Sequence, residues 1–112
     1  MKKESKRIQV EESSGNVFRD LGFPNAEREQ LKADLTLQIF RLIKARQLTQ
    51  TEAGEILGIK QPHVSALMRG HSGTFSVERL MRFLTALGQN VEITLRPTGK
   101  RTAHGGMSVV VR

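Results

Sequence analysis

Residues Gln50 to Arg69 read QTEAGEILGIKQPHVSALMR, and this stretch decides the fold. Its pattern asks for two short helices that cross at a steep angle with few residues between them. Such a crossing needs a small side chain where the backbones approach, and Gly54 stands there with Ala53 beside it. The turn needs a residue that tolerates positive φ, and Gly58 supplies it. The inner faces need apolar side chains, which Leu57, Ile59, Val64 and Leu67 provide. Polar residues then fall on the outer face of the second helix. An ordinary αα-hairpin of a helical bundle is the plain alternative. It would not require a small crossing residue, a turn glycine and a polar outward helix together, so several independent demands met in one window favour the tight crossing.

Working outward, Thr49 and Glu52 fit a capping box that starts the first of these helices, and Gly58 ends it. The second helix is expected from Lys60 or Gln61 to Gly70, with Pro62 in its first turn, where a missing N–H is harmless. Upstream, Asn25 is a good N-cap, and helix-forming residues run from Ala26 to about Arg46. Leu31, Leu35, Ile39 and Leu42 draw one apolar stripe, which Leu37, Phe40 and Ile43 widen. A helix so apolar is expected to be covered on more than one side. Val17, Phe18, Leu21 and Phe23 form an apolar arm that is a candidate cover, a partner chain being the other.

Downstream, His71 to Phe75 reads as a loop. Ser76 caps a helix from Val77 to Leu87 that turns Leu80, Phe83, Leu84 and Leu87 inward and stops at Gly88. The period then changes. Val91, Ile93 and Leu95 alternate with Glu92, Thr94 and Arg96 until Pro97, the pattern of a strand. A lone strand leaves backbone groups unpaired. No second convincing strand lies nearby, so the same strand of a second copy is the expected partner. Residues 1–14 are expected to form a disordered polar tail, 15–97 one domain, and 98–112 a flexible basic tail.

Composition narrows the function. The 112 residues allow one domain and one modest core. There is no cysteine, so disulfides, zinc thiolate sites and cysteine nucleophiles are excluded. That is compatible with a reducing cytoplasm, where the protein is expected to reside. No apolar run approaches the roughly 20 residues that span a bilayer, and no apolar stretch follows the basic N-terminus as in a secretory leader. The net charge of +7 favours polyanions. All five aromatic residues are Phe, a poor basis for stacking single-stranded bases. His63, His71 and His104 lack metal-ligand spacing, and no glycine-rich phosphate loop is present, so no metal, cofactor or enzymatic activity is expected.

The longer stretch LTQTEAGEILGIKQPHVSALMRG resembles the helix-turn-helix of the phage repressor and Cro group, the XRE family. SSGNVFRDLGFPNAE before it and FSVERLMRFLTALGQNVEITLRP after it resemble a branch that includes HigA-type antitoxins and stand-alone regulators, so the likeness covers residues 13–97. It implies an all-α, lambda-repressor-like bundle of about five helices, here with the C-terminal strand pairing across a dimer. It also implies binding of double-stranded DNA as a two-fold dimer, often with repression of the protein's own operon. In antitoxin members it further implies a RelE- or HigB-like toxin as partner. No membrane partner is expected.

On that footing the second short helix is the recognition helix, and its first residues meet base edges. Gln61 is the leading base reader, because its amide can bond adenine bidentately. His63, Ser65 and Ala66 follow along the same helix, Ala66 suited to a thymine methyl, and Lys60 can read guanine or hold a phosphate. Gln50 matches the family glutamine that clamps the phosphate backbone at a helix N-terminus. Arg69, Lys44 and Arg46 are further phosphate candidates. Pro62 departs from the polar residue usual at its position and offers only apolar contact. RNA or non-specific polyanion binding through the tails would account for the charge but not for the motif.

Overall fold

The computed structural model describes residues 26–99 and 105–112. Four α-helices are present among them: α1 (Ala26–Ala45), α2 (Gln50–Leu57), α3 (Gln61–Met68) and α4 (Val77–Ala86). The chain divides into two units, residues 32–91 and the two ends, 1–31 with 92–112.

The unit of residues 32–91 holds the core. Ile39, Val64 and Leu80 are fully buried, and Ile43, Ala53 and Leu67 join them. Each large aliphatic side chain so placed contributes about 1.5–3 kcal/mol of burial. Of the apolar stripe expected on α1, Leu35, Ile39 and Ile43 are buried, while Leu31, Phe40 and Leu42 are half-buried and Leu37 is 37% exposed. Lys32, Asp34 and Thr36 are buried as well, so α1 is covered on more than one side. The Val17 to Phe23 arm, the candidate cover, lies outside the described residues, as does the tail of residues 1–14.

Local chemistry sets the helix ends. The capping box of α2 is complete: the Glu52 backbone N–H donates to Thr49 Oγ1 at 3.0 Å, and the Thr49 N–H donates to Glu52 Oε1 at 2.8 Å. Ser76 Oγ accepts from the Arg79 N–H at 3.1 Å and starts α4. α3 and α4 end in Schellman turns. In α3 the His71 N–H donates to Ala66 O and the Gly70 N–H to Leu67 O; in α4 Gln89 and Gly88 repeat the pattern on Leu84 and Thr85. α1 ends the same way, Leu48 bonding Ile43 O and Gln47 bonding Lys44 O. Here the left-handed residue is Gln47, with φ 55°, a position glycine usually fills.

Two expectations change in form. About five helices are implied by the family likeness, and the described residues hold four. Val91, Ile93 and Leu95 form no strand: the described residues from 89 onward take no regular element. A strand is defined by its neighbour, and among the described residues no strand stands beside this segment. In the unit of the two ends, a Cβ placed on Gly105 would lie 3.5 Å from the Thr98 side chain, so the chain returns on itself there.

Candidate nucleic-acid interface

The site begins at the α2–α3 crossing. A Cβ on Gly54 would sit 2.8 Å from the backbone oxygen of Ile59 and 3.5 Å from Val64 Cγ2. Only a residue without a side chain lets the two segments approach this closely. Gly54 O accepts from the N–H groups of both Gly58 and Ile59, at 2.8 and 3.0 Å. Gly58, at φ 73° and ψ 31°, is the left-handed residue that turns the chain out of α2. A β-branched or bulky residue would be strained there.

This bend and the burial of Val64 and Leu67 fix which way α3 faces. With those two side chains inward, Lys60, Gln61, Pro62 and His63 are exposed at its N-terminal end, and Ser65 and Ala66 are half-buried on its flank. Lys60 is the N-cap in extended conformation with no side-chain capping bond, and Pro62 lies in the first turn. The four residues at the start of α3 therefore form one accessible cluster. Gln50 opens α2 and is half-buried.

The remaining phosphate candidates lie elsewhere. Arg69 follows the other end of α3, where its Nη1 donates to Ser65 Oγ. Lys44 is exposed in the last turn of α1. Arg46 Nη1 donates to Leu87 O at 3.2 Å, so this side chain helps close the C-terminal end of α4. That end is about 15 Å along the helix axis from its start. Arg46 is thus grouped with the far end of α4 rather than with the first turn of α3.

Two residues outside the expected set belong to the surroundings of this cluster. Phe75, in the loop before α4, is only 5% exposed. Its ring meets that of His63 edge-on at 6.0 Å between centroids and that of Phe83 at 5.0 Å. The Arg79 guanidinium carbon lies 5.3 Å from the Phe75 centroid and 5.5 Å from that of Phe83. Phe75, Arg79 and Phe83 stand four residues apart in the sequence, but Phe75 precedes the Ser76 cap, so the period of α4 does not reach it.

Two short helices locked by a glycine crossing, with the second presenting an exposed polar first turn, define a helix-turn-helix protein. Residues 17–96 match a family model described as a helix-turn-helix domain. The chain belongs to the XRE-type helix-turn-helix family of transcriptional regulators. A solved structure titled "Putative XRE Family Transcriptional Regulator" is 43% identical and superposes with a TM-score of 0.75, covering 80% of this chain and 100% of its own. "Putative antitoxin HigA2" of Mycobacterium tuberculosis is 30% identical over 84 residues, which is 72% of this chain and 83% of that protein. Among the described residues no helix is long and apolar enough to cross a membrane.

Proposed function

We propose that this protein is a sequence-specific, non-enzymatic transcriptional repressor that binds operator DNA as a dimer, with α3 in the major groove. The single observation that carries this reading is the exposure of Lys60, Gln61 and His63 at the start of a helix whose opposite face is anchored by Val64 and Leu67. The major groove is about 12 Å wide and admits such a helix. In this reading Gln61 reads adenine, His63 and Lys60 contact base edges or phosphate, and Ser65 and Ala66 meet the next bases. Gln50 and Arg69 hold phosphates, and Lys44 and Arg46 add positive charge further out. The net charge of +7 supports the partner. No cofactor is called for, and the cytoplasm is the expected compartment.

The test is selection of bound sites from a randomised duplex pool, followed by competition of the selected duplex against random DNA. A two-fold symmetric site with half-sites one helical turn apart, bound on the order of 10³-fold or more tighter than random duplex, is expected. Equal affinity for both duplexes would leave only polyanion binding. The likeness to "Putative antitoxin HigA2" favours a second reading, an antitoxin that neutralises a RelE- or HigB-like toxin and represses its own operon. Co-purification with the product of an adjacent small toxin-like gene would establish it. An unrelated neighbour that does not co-purify would remove it.

A further inference from the structure

We propose that Arg79 is a phosphate-contacting residue of the DNA interface, held ready by the Phe75–Phe83 pair; this rests on the DNA-binding reading of α3. The Arg79 guanidinium lies within cation–π range of both rings, at 5.3 and 5.5 Å. Phe75 also meets the His63 ring at 6.0 Å, so a single aromatic ring separates Arg79 from the exposed first turn of α3. A helix inserted in the major groove has a sugar–phosphate wall on either side. A cation that shares a ring with a groove-facing residue is within reach of such a wall.

The charge of Arg79 is available. The residue is exposed, and among the described residues no carboxylate pairs with it. Its neighbour Arg82 differs: its Nη2 is 2.9 Å from Glu78 Oε2. Fixing a long side chain against two rings removes rotamer freedom before DNA arrives, so less entropy is lost on contact. The planar guanidinium keeps outward N–H donors whose fork matches phosphate oxygens. A plain shielding role over the two rings would account for the stacking, but it predicts effects on stability alone.

The experiment compares full-length wild type with Arg79→Gln and Arg79→Lys. Each is titrated against a random-sequence duplex and the selected site over a series of KCl concentrations, and each is melted without DNA. Arg79→Gln is expected to weaken binding to both duplexes by the same factor and to lower the slope of log K against log salt by about 0.9. Arg79→Lys keeps the charge and is expected to keep the slope, with a smaller loss of affinity. An Arg79→Gln slope equal to that of wild type, whether or not its melting temperature falls, overturns the proposal and leaves Arg79 a cover for the aromatic pair. Failure of the wild type to bind either duplex would instead overturn the DNA-binding reading on which this rests.

Discussion

Gln61 stands at the first position of α3, with its side chain exposed and the helix beneath it pinned by Val64. An amide so placed can donate and accept at once, which is the pairing adenine offers in the major groove. Gln61→Ala removes this without touching the core. Its melting temperature is expected to match wild type, while binding to the selected site weakens by on the order of 1–3 kcal/mol and preference relaxes at one base pair per half-site. Affinities for duplexes substituted one position at a time check this; an unchanged preference profile would pass the reading role to Lys60 or His63. The start of α3 and the exposure of its first residues were legible because both follow from local pattern. The Phe75–Arg79–Phe83 cluster was not. Phe75 falls in a loop, where a single apolar residue has no period to announce its burial, and Arg79 reads as one more solvated cation until the rings beside it are known. Arg46 is a phosphate candidate by charge, and nothing local in its sequence foretells its bond to Leu87 O, forty-one residues away.

The α2–α3 pair depends on the closeness of two backbones at Gly54. Alanine is the better helix former by about 1 kcal/mol. Here, however, its Cβ would meet the Ile59 carbonyl at 2.8 Å, a backbone atom that cannot rotate aside. Gly54→Ala is therefore expected to destabilise the protein by about 1–3 kcal/mol and to weaken DNA binding beyond that loss, because α3 must shift. Gly58→Ala separates space from conformation: nothing lies within 4 Å of its added Cβ, yet φ is 73°. It is expected to lose about 1 kcal/mol through backbone strain alone, with α3 left in place and the base preference unchanged. Thermal melting and binding of both variants check the pair; a Gly54→Ala protein as stable as wild type would show that the crossing relaxes. Elements of this kind were readable because caps, turn glycines and a 3.6-residue period are local properties. Thr49, Glu52, Gly58, Ser76 and Gly88 all sit where that chemistry requires. Gln47 was not readable, since nothing in a glutamine announces positive φ and the turn is held by bonds to Ile43 and Lys44. Nor was the burial of Lys32, Asp34 and Thr36, which depends on what covers α1 rather than on its own pattern.

At the scale of the whole molecule, one copy leaves an imbalance at its C-terminal side. Ile93 is 76% and Leu95 90% exposed, Val91 37%, and the backbone that carries them enters no strand. Their alternation with Glu92, Thr94 and Arg96 places the three on one face of an extended segment. A second copy paired antiparallel along residues 90–96 would satisfy the backbone and cover that face together, through one self-complementary surface. The same two-fold axis would present two α3 helices, and successive major grooves on one side of a duplex recur about 34 Å apart. Dimerisation and operator binding are then coupled, so damage to the strand should be felt at the DNA. Ile93→Asp tests this coupling. Each copy would lose on the order of 2 kcal/mol of apolar burial, and carboxylates would face each other near the axis. Loss in both copies together implies a dimer dissociation constant raised by on the order of 10²-fold or more. Sedimentation equilibrium at micromolar concentration is expected to show wild type as a dimer and Ile93→Asp shifted to monomer. The selected palindromic site should be bound more weakly, while a single half-site is bound as before. Melting of the dilute monomer should barely change, because Ile93 is already exposed in one copy. A wild type that remains monomeric at micromolar concentration, or a variant that dimerises as tightly as wild type, would detach this segment from assembly and leave the spacing of the two recognition helices to another surface.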